Sequence, residues 1–224
     1  MTLLVFGSAL DDDPAALVQQ WCCRGGDAVL VQPRDLSEPG WRLRVGRAED
    51  LTAASSGRQF GHNDIDAVVC ALPWIAPYEL VHIAAGDRDY AAQEMGSFLL
   101  AWLNEFNGPV VDRATPLNLA GCGRSKWQWA VVARSAGITA DPDWSGPTVP
   151  VTVVGGEHVS AHAPAPQPDG LKEAASAIAR ASARTLVTLT FAASEDIVLV
   201  GAEPRPAVGE PSVARDLLGL LERI

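Results

Sequence analysis

The run at residues 66–72, DAVVCAL, narrows the possible folds more than any other stretch of this chain. It is apolar at both sets of alternating positions, so as a strand it must be covered on two faces. That is the situation of a strand inside a parallel sheet flanked by helices. The preceding residues supply matching pieces. Residues 3–6 are a short apolar run that stops at Gly7-Ser8, and Asp11 to Asp13 with Pro14 read as a helix start, an acidic cap with proline in the first turn. Leu17, Val18 and Trp21 follow at helical spacing, Gly25-Gly26 stops the helix, and residues 28–32 are the next strand. Strands linked by helices in this way make a right-handed, Rossmann-like open sheet. Residues 41–45 alternate as an edge strand would, and the polar, glycine-containing stretch 53–63 reads as loop.

The first strand is not followed by the glycine fingerprint of dinucleotide-binding folds. Only F-G-S-A-L-D stands there, which argues against a dinucleotide site. A ligand cleft in such a sheet would sit at the carboxyl ends of the strands, near Gly7, Ser8, Pro33 and Pro73-Trp74. Ser8 lacks the G-x-S-x-G elbow of a hydrolase nucleophile. The long helix expected over 89–106 places Tyr90, Phe98, Leu99, Trp102, Leu103 and Phe106 largely along one side, as core residues, and Asn107-Gly108-Pro109 ends it.

A net charge of −10 disfavours nucleic acid or an anionic membrane as partner, because phosphate contacts need clustered Lys and Arg. The first residues, MTLLVFGSALDDDP, carry no basic segment, and their apolar run is too short for a signal peptide or a membrane span. The expected compartment is the cytoplasm. Cys22, Cys23, Cys70 and Cys122 lack C-x-x-C spacing, so reduced thiols are expected; Cys122 stands apart in a G-C-G loop before a helix.

That helix, over about 125–136, carries two tryptophans two positions apart, which point in nearly opposite directions. Trp129 belongs to one apolar stripe and Trp127 with Val131 to another, so the helix is either packed on two sides or meets a second chain. Residues 142–150 read as a connector. After it come a hairpin around Gly155-Gly156, a proline-rich loop, an alanine-rich helix over 171–183, strands at 186–191 and 197–200, and a helix over 211–224. The resulting division is a lobe at 1–141, the connector, and an α+β lobe at 151–224. His158 and His162, four apart on an expected strand, lie about 13 Å apart and cannot share one ion.

Several of these segments resemble ATP-grasp ligases. Pro109-Val110-Val111-Asp112 followed by Ser125-Lys126 is similar to the strand and "N-K" helix of that family, with serine for asparagine, and Gly137 to Pro142 stands for its G-I/V-P-x-T exit. Residues 89–138 resemble the end of the first ATP-grasp subdomain and 151–206 the last one. Between them the resemblance leaves no room for the lid, which in the family supplies a phosphate-binding lysine and half of the adenine pocket. The family holds magnesium with an aspartate on one late strand and the glutamate and asparagine of E-V-N-P-R-P on the next. The matching positions here are Thr190, Gly201 and Glu203, followed by Pro204-Arg205-Pro206.

What the resemblance implies is an α/β protein, a Rossmann-like open sheet of the pre-ATP-grasp type followed by a smaller α+β lobe, degenerate in the family's chemistry. A glycine offers magnesium no side chain, and one carboxylate lacks a bridging partner, so ATP and magnesium are disfavoured and no metal ligand or catalytic residue is assigned. The expected function is a non-catalytic subunit or binding module that partners an active enzyme in peptide or amino-acid modification, through a protein partner or a second copy. Trp127 and Val131 are its interface candidates. The alternative is a reduced ATP-dependent carboxylate-amine ligase working in a cleft near Glu203, Arg205, Lys126 and Cys122. A Rossmann-like small-molecule binder is a third reading.

Overall fold

A computed structural model describes residues 2–121, 123–161, 168–203 and 206–223. In chain order the elements are β1 (Thr2–Phe6), α1 (Asp12–Cys23), β2 (Asp27–Val31), β3 (Thr52–Ser55), β4 (Arg58–Gly61), β5 (Ala67–Cys70), α2 (Arg88–Glu105) and β6 (Val110–Val111). There follow α3 (Lys126–Ser135), β7 (Thr139–Ala140), β8 (Thr148–Val154), β9 (His158–Ala161), α4 (Leu171–Ser182), β10 (Leu186–Ala192), β11 (Val198–Ala202) and α5 (Pro211–Leu221). The chain divides into two compact units at Gly121.

The first unit is built on a parallel sheet of order β2-β1-β5-β6. As the DAVVCAL run requires, β5 is buried at every position. Val68 and Cys70 share a core with Leu99, Trp102, Leu103 and Phe106 of α2 and with Phe6 of β1. Asp11 caps α1 through a bond from the Asp13 N–H, and α1 buries Leu17 and Trp21 while packing on β2 and β1. Trp102 is fully buried, stacks on Phe106 at 5.6 Å and donates its Nε1–H to the Thr52 carbonyl at 3.0 Å.

Two sequence readings of this unit are corrected. Residues 41–45 form no strand: Arg42 makes a single bridge to Thr52, and Trp41 leaves the ladder to pack between Phe6, Phe98 and Trp102. The stretch 53–63 is no plain loop, since β3 and β4 pair there as a hairpin. Its two-residue turn, Ser56-Gly57, has φ of 54° and 73°, the left-handed pair that suits the twist of a tight hairpin. Of the residues expected on the buried side of α2, Tyr90 is exposed.

The second unit is a five-stranded sheet of order β7-β11-β10-β8-β9, antiparallel except for the β7–β11 pair. Trp129, Ala130 and Ala133 of α3 and Leu171, Ala175, Ile178 and Ala179 of α4 cover one face, over Val151, Val153, Val187, Leu189, Phe191 and Leu199. Helix α5 packs on β8 and β9 and buries Val213, Ala214, Leu217, Leu218 and Leu221. The expected boundary at residue 141 is therefore displaced. Helix α3 packs on β11 and α4, and β7 pairs with β11, so both belong with the second unit. The expected connector also shrinks, because β8 begins at Thr148.

Candidate functional site

Three places merit attention: the β10–β11 strands with the start of α3, the turn after β1, and the carboxyl edge of the parallel sheet. At the first, Ser125 caps α3 with a reciprocal box to Gln128, which sets Lys126 at the first helical position. A side chain built on Gly201 would meet the Lys126 Cβ at 4.0 Å, so the start of α3 and β11 are neighbours. The Lys126 ammonium does not point free. It bonds the Pro142 carbonyl at 3.1 Å and the Asp143 carboxylate at 3.0 Å, and lies 5.3 Å from the centre of the Trp127 ring.

On the strands, Thr190 pairs with Gly201 across the ladder. Glu203, just beyond β11, donates its N–H to the Thr188 carbonyl at 2.9 Å, and its Oε1 accepts the Thr190 hydroxyl at 3.1 Å. The three positions matched to magnesium ligands thus offer a hydroxyl, no side chain and one carboxylate, and the hydroxyl is bonded to that carboxylate. Magnesium takes a near-octahedral oxygen shell anchored by one or two carboxylates plus the substrate's phosphates, and this donor set fits it poorly. Among the described residues no group of three or more His, Cys, Asp or Glu could hold a metal ion. The β7–β8 connection runs only over residues 141–147, folded on itself by a bond from the Trp144 Nε1–H to the Pro147 carbonyl, and holds no subdomain. Cys122, Arg205 and His162 lie outside the described residues.

The interface candidates separate cleanly on α3. Trp129 is 1% exposed, while Trp127 is 55% and Val131 65% exposed. Among the described residues of the second unit, no element covers the Trp127–Val131 side of α3.

After β1, the turn that holds phosphate in dinucleotide-binding folds is filled by a carboxylate of the chain itself. Glu79 Oε2 accepts the Ser8 hydroxyl and the Ala9 N–H, both at 2.9 Å. A Cβ on Gly7 would stand 2.4 Å from the Pro14 Cβ, so only glycine fits there. This turn is self-satisfied, and Ser8 is committed to Glu79.

Beyond β5 a cleft of about 660 Å³ opens, within the first unit. Residues 73–77 form one wall, residues 115–119 the other, and Ala92, Gly96 and Leu100 of α2 lie along its length with Asp89, Gln93 and Ser97. The walls are tied together by a bond from the Leu119 N–H to the Pro73 carbonyl at 2.8 Å. Of this site only Pro73-Trp74 was placed by the strand-end rule. The other residues were missed, although Ala92 and Gly96, small and four apart on α2, are a sequence signal of a close approach. No helix among the described residues is long and apolar enough to cross a membrane.

No protein-family model matches the sequence. A comparison with curated protein sequences likewise finds no match. Solved structures are similar in fold. The macrocyclase MdnC from Microcystis aeruginosa MRC, bound with its precursor peptide MdnA, has a TM-score of 0.74 at 11% identity over 100% of both chains. A RiPP-associated ATP-grasp ligase from Chryseobacterium gregarium, in complex with ADP and a leader and core peptide, has a TM-score of 0.67 at 10% identity, over 99% of this chain and 96% of that one. A RimK domain ATP-grasp protein from Sphaerobacter thermophilus DSM 20745 has a TM-score of 0.56 at 15% identity, over 98% and 100%. The resemblance found in short motifs thus extends to the architecture: the chain has an ATP-grasp-like fold.

Proposed function

We propose that this protein is a non-catalytic ATP-grasp-like binding module that engages a peptide and works beside an active enzyme of peptide or amino-acid modification. The observation that carries the reading is the Thr190–Glu203 pair opposite Gly201, where the magnesium ligands of an ATP-grasp ligase are expected. Without a metal held there, the charge on a transferring phosphoryl group has no counterion from these strands. Similar solved structures in complex with precursor, leader and core peptides support the peptide context. The exposed Trp127–Val131 side of α3 is the surface offered to the partner enzyme or to a second copy. In this reading the first unit is Rossmann-like, neither ATP nor magnesium is a resident cofactor, and the protein works in the cytoplasm, where Cys22, Cys23 and Cys70 stay reduced.

A reduced ATP-dependent ligase is the second reading, favoured by the retention of Lys126 beside Gly201. Calorimetric titration with ATP and magnesium chloride separates the two. The binding-module reading expects no saturable heat, together with a near-stoichiometric partner in pull-downs that Trp127→Ala weakens. Saturable ATP binding that Glu203→Ala weakens would instead establish the ligase.

A further inference from the structure

We propose that the cleft at the carboxyl edge of the parallel sheet binds a peptide segment that presents an aromatic or large aliphatic side chain beside a lysine or arginine. This rests on the peptide-binding reading above, and adds where the peptide sits and what it must carry. The first argument is shape. Trp74 and Leu117, on opposite walls, are 55% and 76% exposed, which leaves two large apolar side chains facing solvent across one groove. Between them the helix side is low: a Cβ on Gly96 would find only the Ile75 Cγ1, at 3.9 Å. An apolar side chain inserted there covers both walls at once. The cleft is an open trough rather than an enclosed cavity, which suits a ligand whose chain continues past both ends.

The second argument is charge. Among the described residues that line the cleft, Asp89 is the only charged one. Nothing in that lining neutralises a phosphate or a carboxylate, in a chain that already carries a net −10. Nucleotides and acidic peptides are thus disfavoured, and a cation beside the apolar anchor is matched by Asp89, with Gln93 and Ser97 on the same helix side as hydrogen-bonding groups. The third argument is preorganisation. The Glu79 carboxylate pins the end of the segment that carries Trp74 to Ser8 and Ala9. In the opposite wall Thr115 and Asn118 exchange backbone bonds of 2.9 and 3.1 Å. Walls already held in place lose little entropy when a ligand arrives.

The test is a fluorescence-polarisation titration of the full chain with capped, labelled glycine–serine peptides. One carries a phenylalanine–arginine pair, and two counterparts carry alanine for the phenylalanine or glutamate for the arginine. The pair is expected to bind about tenfold or more tightly than either counterpart, a difference worth about 1.4 kcal/mol. Gly96→Leu, which fills the trough, should abolish that binding while the helix content by circular dichroism is kept. Asp89→Lys should reverse the preference toward the glutamate peptide, which a merely structural role for Asp89 would not do. Preference for the pair that survives both substitutions overturns this site and leaves the peptide reading standing. No aromatic–basic preference in the unsubstituted protein overturns the proposal outright. ATP hydrolysis stimulated by the peptides would overturn the non-catalytic reading without touching the cleft.

Discussion

Burial pushes the Cys70 thiol up to about 12 from an ordinary 9.0, and the backbone of Leu72 offsets little of that. A pKa raised in the folded state means that the unfolded chain loses this proton first. Stability is therefore unaffected by Cys70 below about pH 9 and falls as pH rises from there toward 12, by about 1.4 kcal/mol per pH unit. Urea denaturation of the wild type and Cys70→Ala across pH 8 to 10.5 checks this: the stability difference between them should shift in favour of the alanine variant only above about pH 9. At neutral pH, Cys22 and Cys23, which are exposed, should alkylate while Cys70 does not until the chain unfolds. Trp102 invites a second measurement. Trp102→Ala removes a fully buried ring from the stack on Phe106 and should cost about 3–5 kcal/mol in urea denaturation. Trp102→Phe should cost much less, about 1 kcal/mol for the lost hydrogen bond. The Thr52 carbonyl still accepts the Arg42 N–H at 3.2 Å, so the shorter ring leaves no orphaned acceptor.

In the reading proposed above, strands β10 and β11 are where an ATP-grasp-like fold parts from ATP-grasp chemistry, and that can be tested by adding carboxylates. Thr190→Asp together with Gly201→Glu would gather three carboxylates with Glu203, and Gly201 has room because its nearest neighbour beyond the strand is the Lys126 Cβ at 4.0 Å. Crowded like charges should lower the melting temperature of the double variant, and millimolar magnesium or manganese chloride should restore it by binding the folded state. The wild type should show no such response in the same thermal melts; equal responses from both proteins would sink the account of these strands. The same elements show what a reader of the sequence can and cannot extract. Strand β5 announced itself because a run apolar at every position has few places to go, and β8–β9 because two glycines with positive φ sit in its turn. The β3–β4 hairpin was missed because Gln59 and Arg58 made it look like loop, although Ser56-Gly57 is a two-residue turn signal. Nothing marked β7, whose two residues become a strand only because β11 lies alongside. At the candidate sites, the side chains available at Thr190, Gly201 and Glu203 are legible residue by residue. Partners distant in sequence were not: Glu79 lies 71 positions from Ser8, and such a contact leaves no local pattern.

The division of the chain carries the last prediction. A boundary drawn from composition falls in the Pro- and Gly-containing stretch at 142–150, and a protein cut there would begin at 151 with β8 already shortened, since that strand starts at Thr148. Such a fragment loses β7, so β11 becomes an edge with unpaired backbone groups. It also loses α3, and with it Trp129, Ala130 and Ala133, which cover the face carrying Leu189, Phe191 and Leu199. Removal of a buried tryptophan alone costs about 3–5 kcal/mol, against a total of about 5–15 kcal/mol for a domain. A fragment of residues 122–224 keeps β7, α3 and every strand of the five-stranded sheet. Expressed separately, it should unfold in a single cooperative urea transition with dispersed amide resonances, whereas the 151–224 fragment should bind a hydrophobic dye and show no cooperative transition. If the shorter fragment folds as well as the longer, α3 and β7 are dispensable to this core. The boundary would then belong after residue 141, and buried Trp129 would be as dispensable to this core as exposed Trp127.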